Sequence, residues 1–146
     1  MSISVESRIH RTLRGVAPFK EYEQWDQLKH LDPALSPLDR TERLLGVYEN
    51  DPGCADGLVV FTTLGVYWRE NETWRSVRYG EIAGTEWPKE AKDEARSLTI
   101  RIRTGSCEYL PIRRGYFFDV MRFFDRVAED TRHRNDDEPG GGLGSS

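Results

Sequence analysis

The chain has 146 residues, with 21 basic and 25 acidic side chains and a formal net charge of −4 at pH 7. That length suits one domain able to bury a core without disulfides, and the acidic balance opposes non-specific attraction to nucleic-acid phosphates or anionic lipid headgroups. Cys54 and Cys107 are too few for a disulfide scaffold and too isolated for a zinc site, and no apolar run approaches the roughly 20 residues of a membrane helix. Residues 1–16 mix charges and contain no apolar signal region, so the expectation is a cytoplasmic protein without integral membrane association.

Val5, Ile9, Leu13 and Val16 recur at helical spacing and predict a short first helix ending near Gly15. Pro18 is placed to open a second helix, with Phe19, Tyr22, Trp25, Leu28 and Leu31 as its apolar stripe and Asp32-Pro33 as its stop. Residues 36–39 read as a linker, which makes residues 1–40 a helical extension to a β-rich domain over 41–132.

Residues 42–50 predict a first strand, and Asp51-Pro52-Gly53 begins a loop running to Gly57. Residues 56–79 are rich in Val, Phe, Thr, Tyr and Trp and are punctuated at Leu64-Gly65 and Asn71, which predicts an antiparallel meander. A fifth strand is read over 81–87, then a charged, solvated loop over 89–96. Leu98, Ile100 and Ile102 alternate with Thr99, Arg101 and Arg103 in a sixth strand. Gly105 predicts a two-residue type II′ turn into a seventh strand over 107–112, where Pro111 argues for a sheet edge.

A final helix is predicted over 115–132, with Phe117, Val120, Met121, Phe124, Val127 and Ala128 on one face and Tyr116 and Phe123 widening it. Phe118 leaves that face, near Arg122 and Asp125. Val60, Val66, Trp68, Trp74, Ile82, Leu98, Ile100, Ile102 and Leu110, with Phe117, Met121 and Phe124, are the expected core. Residues 133–146 form an acidic, Gly-rich tail, expected to be disordered from Asn135 onward.

Few residues offer chemistry. His10, His30 and His133 are dispersed, and residues 42–114 hold no histidine to activate a Ser or Cys nucleophile. The reading is a non-enzymatic protein with no catalytic residue, no metal ligand and no cofactor. Arg69, Arg75, Arg78, Arg101 and Arg103 are interspersed with Glu70, Glu72, Glu81, Glu86 and Glu108, which fits a solvated sheet face rather than a nucleic-acid platform.

Leu44-Leu45-Gly46-Val47-Tyr48, Val60 through Trp68, Val77-Arg78-Tyr79-Gly80-Glu81-Ile82 and the helix over 117–128 occur in an order that resembles the pleckstrin-homology (PH) superfold. Bacterial PH-like and GRAM-like domains are the nearest in pattern. The resemblance implies a mainly β fold with α: a seven-stranded bent sandwich, or partly open barrel, capped by the C-terminal helix. It also implies a binding function. In lipid-binding members the loop between the first two strands supplies Lys and Arg, whereas here residues 49–56 contain no basic side chain, so phosphoinositide binding is not expected.

In peptide-binding members an extended segment lies between the fifth strand and the last helix. That position implies a groove here at Glu81, Ile82, Thr85, Phe118 and Arg122, taking a protein or peptide or the chain's own N-terminal segment. The main alternative is an inhibitor or immunity-type protein that masks an enzyme or toxin, which a small acidic domain would suit. An enzyme or small-ligand carrier with a cavity inside the bent sheets, and homo-oligomerisation, are further alternatives.

Overall fold

A serine hydroxyl opens the first helix, α1 (Val5–Thr12): Ser4 Oγ accepts from the Ser7 N–H at 3.2 Å. The computed structural model describes residues 4–21, 44–51, 54, 56–89, 94–113 and 115–137. Ile9, Leu13 and Val16 are buried, as their spacing predicts.

The segment after Pro18 departs from prediction. Phe19–Glu21 is a strand, β1, rather than the start of a helix. The Pro18 carbonyl accepts from the Glu49 N–H at 3.0 Å, and β1 pairs antiparallel with β2 (Leu44–Tyr48), placing Phe19 opposite Tyr48. Helix propensity is a weak bias, and pairing with a neighbouring strand outweighs it here. Gly46 permits this pairing, because a Cβ there would strike the Phe19 ring and come within 2.8 Å of the Lys20 carbonyl. Tyr22, Trp25, Leu28, Leu31 and the linker over 36–39 lie outside the described residues.

The predicted meander is present as β3 (Val59–Thr62), β4 (Gly65–Glu70) and β5 (Thr73–Arg78), completing an antiparallel sheet in the order β1-β2-β3-β4-β5. Asn71 (φ 52°) and Glu72 (φ 64°) turn the chain between β4 and β5, and both occupy the left-handed region of a type I′ hairpin turn. Glycine is the usual residue at the second of these positions. Glu72→Gly is therefore expected to stabilise the protein by about 0.5 kcal/mol, seen as a higher urea midpoint at unchanged slope.

A 3-10 turn, Tyr79–Glu81, leads to a second antiparallel sheet of β6 (Ile82–Glu86), β7 (Ser97–Ile102) and β8 (Cys107–Pro111). The β7–β8 turn is one residue longer than predicted. Gly105 N–H donates to the Ile102 carbonyl and Ile102 N–H to the Ser106 carbonyl, both at 2.9 Å, so residues 103–105 form a three-residue loop. Gly105 (φ 107°) takes the bulge position after the tight turn, not the first central position of a type II′ turn. Pro111 does lie on an edge strand.

The last helix, α2 (Phe117–Asp137), includes Asn135, Asp136 and Asp137, which the sequence reading assigns to a disordered tail. Its buried side, with Phe117, Val120, Met121, Phe123, Phe124, Val127 and Ala128, joins one core with Ile9, Leu13, Phe19, Phe61, Trp68, Leu98 and Ile100. The N-terminal residues thus share the core of both sheets. Arg8 ties α1 to α2, its Nε and Nη2 donating to the two Asp130 oxygens at 2.7 and 2.9 Å, and this bond raises the Arg8 pKa above its ordinary value.

The described chain is thus mainly β, with eight strands rather than the seven expected and a helix at either end. Of the expected core, Val60 is buried on the other side of the five-stranded sheet with Val47 and Leu58, Trp74 packs on that cluster half-buried, and Ile102 is half-buried. Trp68 and Trp74 do not share a face, because Trp68 stands opposite Arg75 and Trp74 opposite Arg69, an odd offset that sends them to opposite sides of the sheet. In the loop expected to be solvated, Lys89, Glu94 and Arg96 are exposed but Ala95 is buried. Among the described residues no helix is long and apolar enough to cross a membrane.

Candidate functional site

Once α2 commits one face to the core, its helical period sets Phe118, Arg122, Asp125, Arg126 and Glu129 on the outside. Phe118 is 59% exposed. Across from it, β6 ends at Glu86 and Trp87 follows, 61% exposed, before Pro88 prevents the strand from continuing as a regular ladder. The Trp87 and Phe118 rings stack with centroids 6.4 Å apart and 24° between planes. Large aromatics are more often buried, so two that meet in solvent form an exposed apolar patch.

The pair forms the lip of an open groove of about 380 Å³. Met121, itself largely buried, adds apolar lining, while Arg122, Asp125, Arg126 and Glu129 supply the charged walls. A second hollow of about 240 Å³ lies past Trp87, reaching Thr99, Cys107 and the exposed Tyr109.

The predicted site residues fall in different places. Phe118 and Arg122 line the groove. Thr85 supports it from β6, its hydroxyl donating to Asp125 Oδ1 at 3.0 Å. Glu81 is engaged locally, with Oε1 accepting from the Arg78 N–H at 2.8 Å at the start of the 3-10 turn. The Ile82 side chain is fully buried in the core. Of the β6 backbone, the Ala83 carbonyl accepts from Arg132 Nη1 at 3.4 Å, so α2 already holds this strand by a main-chain and a side-chain bond.

Trp87, Met121, Asp125, Arg126 and Glu129 are groove residues that the sequence reading did not assign to a site. Asp125, Arg126 and Glu129 were recoverable, because they share a helical face with Phe118 and Arg122, whereas Met121 belongs to the core-facing side. Trp87 carried no such signal: a Trp at a strand end reads equally as core.

The loop between β2 and β3 has the opposite character. Asp51 receives Arg113 Nη1 at 2.9 Å, and Asp56 lies 4.0 Å from the same guanidinium. Among the described residues of this loop, two carboxylates share one guanidinium. On the sheet surface Arg75 pairs with Glu108 at 3.4 Å and Arg101 with Glu86 at 3.5 Å, so opposite charges meet across strands. Among the described residues no three His, Cys, Asp or Glu side chains are grouped to hold a metal.

No protein-family model matches this sequence, and no curated protein or solved structure matches it.

Proposed function

We propose that this chain is a cytoplasmic, non-enzymatic, PH-like interaction module whose protein or peptide partner docks in the groove between Trp87 and α2. The exposed Trp87–Phe118 stack carries this reading: a rigid aromatic pair beside a concave surface is the composition of an interface anchor. In favour of a PH-like arrangement, β2–β5 and β6–β8 divide four and three before the final helix, with β1 added at one edge. Cys54 and Cys107, both free and exposed, suit a reducing compartment. The Asp51–Arg113–Asp56 cluster argues against an inositol phosphate on the β2–β3 loop, since carboxylates would face its phosphates.

Docking on the aromatic lip is a better reading than strand addition beside β6. An added strand would have to displace the Arg132–Ala83 bond and compete with Thr85–Asp125. Partner capture from a native cell extract tests the site. Phe118→Ala and Trp87→Ala are each expected to lose most partner recovery while unfolding within about 0.5 kcal/mol of the parent protein, as exposed substitutions do. Undiminished recovery by both variants would remove the groove from consideration.

A further inference from the structure

The groove's charges are engaged unequally. Asp125 accepts from Thr85, and Glu129 is near enough to Arg8 to help raise its pKa. The two acids are thus partly committed to the protein. Arg122 and Arg126 are not: among the described residues neither makes a hydrogen bond or ion pair, although Asp125 and Glu129 each follow one of them by three positions. Both are exposed and stand one turn apart, where like charges repel. No contact within the described fold compensates that repulsion.

We infer that the groove takes an acidic peptide segment carrying one aromatic or aliphatic anchor. The anchor packs against Trp87, Phe118 and Met121, and carboxylates flanking it pair with Arg122 and Arg126. Guanidinium suits this task because its planar donors match a carboxylate with two parallel bonds. The protein's net charge of −4 repels an acidic ligand at long range, so recognition relies on the local arginine pair and on the anchor. This rests on the docking reading above and adds the ligand's chemistry to it.

The probe is a labelled peptide with one Phe flanked on each side by paired glutamates, followed by fluorescence anisotropy. Its companions carry Lys for Glu, or Gly for Phe. The acidic Phe peptide is expected to bind the full chain, and the other two to bind at least about tenfold more weakly. Arg122→Glu combined with Arg126→Glu is expected to reverse the preference toward the lysine peptide, and Phe118→Ala to weaken the acidic peptide without that reversal. Circular dichroism of each variant should match the parent.

Equal binding of acidic and lysine peptides, binding of neither, or an unchanged acidic-peptide affinity in the double arginine variant would overturn the inference. So would tighter binding of phosphoinositide vesicles released by the same variant, which would assign the arginines to a headgroup. If the acidic peptide fails while partner capture still depends on Phe118, the ligand chemistry falls and the docking site stands. If capture is also independent of Phe118 and Trp87, both fall.

Discussion

Asn50→Ala is expected to destabilise the protein by about 4 kcal/mol, among the largest effects available from one polar side chain. Asn50 is 3% exposed at the end of the β2 segment. Its Nδ2 donates to the Gly57 carbonyl at 2.6 Å and the Pro111 carbonyl at 2.9 Å, and its Oδ1 accepts from the Arg113 N–H at 2.6 Å. One amide thus closes the β2–β3 loop and ties it to the edge strand β8. Truncation would orphan three main-chain groups, each costing about 1–3 kcal/mol when buried without a partner, with entering water recovering part of the loss. Chemical denaturation should show a much lower midpoint at unchanged slope. A loss under about 1 kcal/mol would mean that the loop can satisfy these groups by itself.

Phe61→Ala is expected to cost a similar amount, about 4 kcal/mol, through a different term. Phe61 is fully buried on β3 and joins elements far apart in the chain. Its ring lies 5.8 Å from Phe19 of β1, 5.3 Å from Phe123 and 6.0 Å from Phe124, both of α2. Removing it leaves a cavity between sheet and helix as well as losing transfer energy. Edge-to-face contacts add about 0.5–1.5 kcal/mol each beyond area. Phe61→Leu should recover more than half of the loss, and Phe61→Ala with Phe123→Ala should cost less than the sum of the single variants because the two share one cavity. Full additivity would show that the rings contribute independently.

The meander and the final helix were legible because each repeats a local period. Val66 and Trp68 follow strand alternation after a glycine turn, and Phe117, Val120, Met121 and Phe124 follow the 3.6-residue period, neither of which needs a distant partner. The face of β3 was not legible: all four of its residues are buried, and Val59 and Phe61, not the expected Val60, join the main core. The Phe19 segment was misread for the converse reason: its helix-like stripe was real, yet Phe61 and the free edge of β2 determined its state. Gly105 announced a turn but not its length, since the same glycine serves either hairpin and the Ile102–Ser106 pairing selects between them.

The site divides along the same line. Phe118 and Arg122 could be set apart from sequence, since a helix with one apolar face must turn other residues outward. Ile82 is already in the core expected from sequence, so its place in the groove conflicted with that reading; Glu81 could not be excluded, because the 3-10 turn that engages it forms only where β5 passes into β6. Asn50 is only the last residue of the predicted first strand; its role as a clamp depends on three partners, up to 63 positions away.

The sequence by itself therefore determined the β-rich class, the amphipathic last helix and the acidic first loop, all of which rest on composition and local period. Only the tertiary structure decided that β1 joins the sheet, that Asn50 clamps the loop and that Trp87 meets Phe118 in solvent. Those outcomes depend on contacts between residues distant in sequence, where packing and hydrogen-bond satisfaction outweigh local preference.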